Sequence, residues 1–381
     1  MIEKIERQLP VGIGGERLKE GRETLPAIEV ANEVSWVNNK MNLPFELKVG
    51  EPSRLGMFLT PDPKTGEKIF NLEVSDSHTR SGILGRVIFS DQEGRLYRDI
   101  DLKGVGYFRR SGYQNDKLTV KPRMGSYGKI SGGKSAFGMF RGTPGIANQE
   151  LIRRDINYSE KFLKAGIRTH RAVAVVDLKE VVDEEGDKVT IAEAKKRGIL
   201  SEKDEPIVEI RAYGVRSRLF DVDNALESLK TEDALRLLSD AKNIVAQELN
   251  IDLDKFTYDK YFEWLIKTMA LNLARMHYNR WVNGYITEHN ITLDGRIVDL
   301  DSVDTILTAK RASNKGVYGV SKTFDNDRLE VIGSFKNILR QVQENEIYNF
   351  QVLSENFSIY FSGLYEEELK RLRMEKVRRV R

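Results

Sequence analysis

Through the first hundred residues, short apolar stretches alternate with polar positions and are broken by Gly, Pro and Asn, the pattern of strands that face core and solvent by turns. Arg86 to Lys103 predicts a hairpin turning at Asp91-Gln92-Glu93-Gly94. Residues 104 to 147 lose this periodicity and are dense in Gly, aromatics and Lys or Arg (GVGYFRRSGY, GSYGKISGGKSAFG, RGTPG), which predicts a long functional loop. From Asn148 the apolar positions Leu151, Ile152, Ile156, Phe162 and Leu163 recur at helical intervals, and Gly166 stands where a helix would end. A strand His170 to Asp177 follows, then a charged surface insertion over 178–205 and a strand Pro206 to Tyr213. After Asp223 the pattern turns helical. Asn224 to Leu249 predicts two helices parted near Ser239, and Tyr258 to Trp281 places Phe262, Leu265, Ile266, Met269, Leu273 and Met276 on one 3.6-residue stripe. The chain therefore divides into a strand-rich lobe over 1–213 and a helical lobe over 214–381. The predicted class is α+β, without the βαβ alternation of a doubly wound sheet or barrel.

At 381 residues the chain is long enough for two cores. Lys and Arg total 61 against 58 Asp and Glu, a net charge of +3 that leaves no footprint of a general nucleic-acid binder. Seven of the residues from Lys370 to Arg381 are basic and one is acidic, which reads as a solvated helical end. Zero cysteines exclude disulfides, thiolate metal sites and a Cys nucleophile. The longest wholly apolar run, Ala172 to Val176, is far short of a membrane span, and the opening MIEKIERQLP lacks the apolar core of a signal peptide. The expected location is the cytoplasm.

Four constellations carry candidate chemistry. In DIDLKGVG, a strand delivers Lys103 beside two glycines, where an ammonium can meet nucleotide phosphates. In RRDINYSE, Asp155 and Ser159 lie one helical turn apart, and a carboxylate at 155 can pair with Lys103; Glu150 and Glu160 are alternatives for that part. In EIRAYGVRSRLFD, Arg211 and Arg218 flank a turn at Gly214 and offer guanidinium forks suited to phosphate. In GYITEHNITLDGRIVDLDSV, residues 284–303, a hairpin turning at Asp294-Gly295 returns Asp299 toward Asn290. Two oxygen ligands for Mg²⁺ result, with Asp301 placed to serve as a second or outer ligand.

In this order the four patterns resemble the SelO family, protein kinase-like enzymes that transfer AMP from ATP to protein hydroxyls. The matching residues are Leu102-Lys103-Gly104-Val105-Gly106, Arg154-Asp155, Ser159-Glu160, Gly166-Ile167, Thr169-His170-Arg171-Ala172, Arg211, Arg218, Asn283 to Asn290 without gaps, and Asp299. The resemblance implies a bilobal protein kinase-like fold that binds ATP in reverse. Lys103 and Asp155 would form the strand–helix ion pair, Arg211 and Arg218 would hold the terminal phosphates, and Asn290 with Asp299 would bind Mg²⁺. The acceptor would be a protein, with no membrane span involved.

The departures matter as much. Asp155 replaces a glutamate, Lys134 in GGKSAFG would replace a phosphate-contacting arginine of the family, and His289 occupies the place of the loop aspartate, with Glu288 beside it. An imidazole can accept a proton but is no hard ligand for Mg²⁺. Three readings follow from these residues: an AMP transferase with His289 as base; a kinase or acyl-adenylate-forming glutamylase on the same fold; and a nucleotide-binding pseudokinase that serves as a scaffold.

Overall fold

The computed structural model describes residues 22–75, 81–110, 118–121, 146–147, 149–183, 185–228, 230–311, 322–348 and 356–380. Contacts group the chain into two units. One comprises Met1–Arg153 with Arg171–Tyr213, and the other Arg154–His170 with Gly214–Arg381. The segment Arg154–His170, which holds most of the helix that carries Asp155, groups with the second unit. The class is α+β, with a strand-rich unit followed by a mainly helical one.

In the first unit, β1 (Arg22–Glu29), β2 (Asn32–Val37), β3 (Met57–Leu59), β4 (Ile69–Ser75), β5 (Ser81–Ser90) and β6 (Leu96–Lys103) precede the hairpin β7 (Tyr107–Arg110) and β8 (Leu118–Lys121). Helix α1 (Gln149–Lys164), most of which belongs to the second unit, follows along the chain, and then come β9 (Arg171–Leu178), β10 (Glu180–Val182), β11 (Lys188–Thr190), α2 (Ile191–Lys196) and β12 (Ile207–Tyr213) of the first. Eight strands form one antiparallel sheet in the order β2-β9-β12-β6-β5-β4-β1-β3. The hairpin of β5 and β6 turns at Asp91–Gly94 as its sequence predicts, and the fully buried Arg171 on β9 holds that turn through Asp91, Nη1 to Oδ2 at 2.6 Å.

Two expectations are refined. Part of the loop 104–147 is the β7–β8 hairpin, while GGKSAFG and with it Lys134 lie outside the described residues. The insertion 178–205 is a β-hairpin and a helix whose Val181, Val182, Val189, Ala194 and Leu200 join the core of the unit, because its apolar residues sit between the charges the sequence displays.

The second unit adds α3 (Leu219–Glu227), α4 (Thr231–Leu249), α5 (Tyr258–Tyr278), β13 (Trp281–Val282), β14 (Asp304–Thr305), α6 (Ile306–Arg311), α7 (Phe324–Glu344) and α8 (Phe357–Val380). All six stripe positions of α5 are fully buried. The break between α3 and α4 falls at 228–230, and Ser239 lies inside α4, which corrects the expected break near Ser239. A single serine weakens a helix interior by only about 0.5 kcal/mol, which the packing of Leu237, Leu238 and Ala241 outweighs. Helix α1 ends as expected: Gly166 takes φ +73° and Ile167 N–H returns to Phe162 O at 2.9 Å. Among the described residues, no helix is long and apolar enough to cross a membrane.

Candidate active site

In the first unit, Lys103 closes β6 with its side chain buried, directly opposite Glu209 on β12 and Ser81 on β5. Residues two apart on a strand share a face, so DIDLK and EIR place Asp99, Asp101 and Lys103 beside Glu209 and Arg211 on one face. All five are at most 2 % exposed. Burial of so many charges is expensive unless they are paired, and the structure pairs Arg211 with Asp101: Nε and Nη2 meet Oδ1 at 2.8 and 2.6 Å. Its Nη2 also donates to Ser81 Oγ at 3.3 Å, and the guanidinium lies over the Tyr213 ring. Arg211, expected to hold phosphate, is thus committed within its own sheet. The alternation of Asp101 with Lys103 was readable in the sequence; the partnership of Asp101 with Arg211, 110 positions away, was not.

Gly104 explains the turn that follows. It adopts φ +102°, and a Cβ there would stand 2.3 Å from Ile207 O and 2.7 Å from Ala147 Cβ. Only glycine lets the chain leave β6 against these neighbours.

In the second unit, the buried face of α1 carries Asp155 and Ser159 together with Phe162 and Leu163. Asp155 Oδ1 accepts from Leu300 N at 2.8 Å, and Oδ2 meets His170 Nε2 at 3.0 Å. One residue earlier, Arg154 donates to Asp301 O (3.1 Å), Val303 O (2.8 Å) and Asp304 Oδ1 (2.9 Å). The helix therefore grips the segment that begins at Asp299.

The hairpin forms as predicted around Asp294-Gly295. Thr292 N reaches Arg296 O and Val298 N reaches Asn290 O, both at 3.0 Å, so the strand leading to Asp299 runs beside Asn290. Asp294 serves the turn itself, accepting from Thr292 Oγ1 (2.5 Å), Arg296 Nε (2.6 Å) and Val215 N (3.2 Å). The hairpin is tied on one side to Ser217 and Leu219 and on the other to Arg168 and Thr169. Asp299 is half-buried and sits in the left-handed region, φ +61° and ψ +56°, a conformation that costs a non-glycine residue energy and is concentrated at functional sites.

Asn290 is 3 % exposed. Its Nδ2 donates to Tyr285 O at 2.9 Å, and its Oδ1 receives Arg218 Nη1 at 3.3 Å. Arg218 also donates to His289 O, and its backbone N–H is capped by Asp221 at 2.8 Å. His289 stacks on Phe220, with ring centroids 3.9 Å apart and planes 28° apart, and its Nε2 lies 3.8 Å from Glu288 Oε1. Burial lowers the His289 pKa, with Arg218 adding to that shift and Glu288 and Asp221 opposing it, which favours the neutral ring. The amide oxygen of Asn290 and the carboxylate of Asp299 are the hard donors Mg²⁺ takes, and two such protein ligands suit an ion that keeps several waters. The donor set fits the metal, with Arg218 competing for Asn290 Oδ1.

The pattern along the chain left Asp327 and Phe220 unremarked. Asp327, buried on the first turn of α7, accepts from Asn283 N (2.9 Å) and Gly284 N (2.6 Å) at the head of the loop. Glu330, one turn on, accepts from Ile286 N at 2.8 Å. Both acids lie some forty residues downstream of the loop, so nothing local in the sequence marks them as its anchors.

No family model and no curated protein matches the chain. Among solved structures it is similar to ROP2 from Toxoplasma gondii, described as a virulence factor with a protein-kinase fold and no enzymatic activity. That likeness has 11 % identity and a TM-score of 0.35 over 82 % of this chain and 83 % of that one. It is also similar to a Toxoplasma gondii specific rhoptry antigen kinase domain, with 10 % identity and a TM-score of 0.32 over 82 % and 84 % of the two chains. Likenesses at this level carry no argument about what this chain does.

Proposed function

We propose that this chain is a protein kinase-like nucleotidyltransferase that uses ATP and Mg²⁺ to pass AMP to a protein hydroxyl. The observation that carries the reading is the convergence on the 290–299 hairpin. Asn290 and the approach to Asp299 are paired strand to strand, and Asp155 holds the amide of Leu300, the residue after Asp299. These are positions at which the SelO resemblance expects metal ligands and the helix acid. Asn290 and Asp299 would hold Mg²⁺, which when bound neutralises charge on the nucleotide phosphates.

In the transfer itself, the acceptor oxygen attacks the α-phosphorus, the bond from that phosphorus to the bridging oxygen breaks, and pyrophosphate leaves. The hydroxyl proton goes to the imidazole of His289, whose orientation is set by the Phe220 stack and by Arg218 on its carbonyl.

A second reading, a pseudokinase that binds nucleotide without transfer, is favoured by one observation. The two arginines expected on phosphate are engaged internally, Arg211 by Asp101 and Arg218 by Asn290 and the His289 carbonyl. Incubation of the purified chain with ATP, Mg²⁺ and a protein acceptor, followed by intact-mass measurement, separates the readings. A gain of one AMP supports the transferase, a gain of one phosphoryl group points to a kinase, and no gain with retained ATP binding identifies a pseudokinase.

A further inference from the structure

Asn290 carries one amide oxygen, and the direction of that oxygen is set. Its Nδ2 is spent on Tyr285 O at 2.9 Å, and Val298 N closes on its backbone carbonyl at 3.0 Å, so the amide plane is held and Oδ1 points away from Tyr285. What Oδ1 meets is a cation, Arg218 Nη1 at 3.3 Å. The same nitrogen donates to His289 O. Both Asn290 and Arg218 are buried.

The contact is built by the fold, not by the reach of a long side chain. Ser217 to Leu219 runs antiparallel to Ile291 to Leu293: Leu219 N reaches Ile291 O at 3.0 Å, Leu293 N reaches Ser217 O at 2.8 Å, and Arg218 stands opposite Thr292. Asp221 Oδ2 takes the Arg218 amide at 2.8 Å. The Arg218 backbone is thus pinned to the hairpin that carries Asn290, and the guanidinium can leave Oδ1 by side-chain rotation alone. While it stays, the oxygen is a poor ligand for a divalent cation, because two positive charges would crowd one buried atom. A phosphate that arrives with the metal changes the balance. Its oxygens suit the guanidinium fork better than a neutral amide does.

We propose that Arg218 is a specificity-determining residue of the metal site: its guanidinium keeps a divalent cation that comes alone off Asn290, and yields the oxygen to one that comes on a nucleotide phosphate. The proposal rests on the reading of Asn290 and Asp299 as metal ligands. Bare metal and metal–nucleotide are told apart by a charge carried within the chain. The site therefore loads metal and nucleotide together instead of filling with metal first.

Mn²⁺ takes the same oxygen ligands as Mg²⁺ and its unbound form is read directly by electron paramagnetic resonance, so it serves as the probe on the full chain. Arg218→Met and Arg218→Gln, two neutral side chains of different shape, should each bind Mn²⁺ alone about tenfold or more tighter than the parent, whereas Arg218→Lys, which keeps a charge, should stay within about threefold of it. Adding Asp299→Ala to Arg218→Met should abolish the gain, which ties it to this site. In the parent, Mn²⁺ should strengthen binding of α,β-methylene ATP in calorimetry. Parent-like affinity for Mn²⁺ alone in both neutral variants would overturn the proposal, and so would a gain that survives Asp299→Ala. An equal gain in Arg218→Lys would do the same, since it would reflect lost packing and not lost charge. A parent whose nucleotide binding ignores Mn²⁺, while the neutral variants gain, would show an exclusion that never lifts and is equally fatal. The two readings fail differently: nucleotide-dependent Mn²⁺ binding in the parent with no gain in the variants sinks the role of Arg218 alone, while no bound Mn²⁺ in any chain, with or without the analogue, removes the metal site and this proposal with it.

Discussion

Arg211 and Asp223 show how one side chain's surroundings set its behaviour. Arg211 is 1 % exposed and spends its guanidinium on Asp101. Arg211→Ala should therefore destabilise the chain by about 3–5 kcal/mol in urea unfolding, because Asp101 is left charged and buried. The double variant with Asp101→Asn should regain part of that loss; a loss below about 1 kcal/mol would mean that the pair is not buried as described. Asp223 Oδ1 accepts from Asn337 at 2.9 Å, and its pKa is raised to about 6 by burial first, then by Glu227 and Glu288. The folded state holds this proton more tightly than the unfolded chain, where Asp titrates near 3.9. Its contribution to stability is thus complete below about pH 4 and lost as pH rises through about 6. Asp223→Asn should be neutral at pH 4 and stabilise at pH 8 by about 1–2 kcal/mol, the roughly 3 kcal/mol that a two-unit shift implies being reduced by partial solvent screening. Equal stability of parent and variant at pH 8 would contradict the assignment.

At the scale of the element, the hairpin 290–299 depends on its turn acid more than on strand propensity. Asp294 receives Thr292, Arg296 and the amide of Val215, and Arg296 is itself 2 % exposed with its Nη2 3.9 Å from Glu248. Asp294→Ala should cost about 3 kcal/mol or more, since it strips the bidentate turn and leaves a buried guanidinium short of its nearest carboxylate. Amide exchange at Thr292 and Gly295 should rise in step, and unchanged protection there would show that the turn stands without the acid. Helix α1 illustrates the complementary case. Its apolar spacing was legible along the chain, and its buried face proved to include Asp155 and Ser159, the two polar residues one helical turn apart.

At the scale of the whole molecule, a strand-rich unit carries Lys103 and a helical unit carries Asp155, Arg218, His289, Asn290 and Asp299. Nucleotide binding that uses a metal should then depend on the helical unit's loop. With Asp299→Ala, ATP affinity measured by calorimetry should lose its magnesium dependence while the parent keeps it, and a variant with the parent's dependence would place the metal elsewhere. Since α7 anchors the loop through Asp327 and Glu330, truncation before α7 should impair the site as well as the fold. The role of residues beyond 306 was the part of the chain least readable from sequence.

Local interactions were written in the sequence, and it determined what they control. The hairpin at Asp91–Gly94, the glycine that closes α1, the stripe of α5 and the Asp294-Gly295 turn all follow from side-chain period and backbone preference within about twenty residues. The same local logic brought Asn290 and Asp299 together, because one short hairpin spans them. It failed at Ser239, where long-range packing overrode a weak helix breaker, and in the 178–205 insertion, where surface charge masked buried valines. Only the tertiary structure decided the partners: Asp101 for Arg211, Asn290 for Arg218, Leu300 for Asp155, and Asp327 for the loop amides. Such pairs form between residues far apart along the chain. A buried charge takes whichever opposite charge or donor the packing brings to it, and no periodicity along the sequence encodes which one that will be.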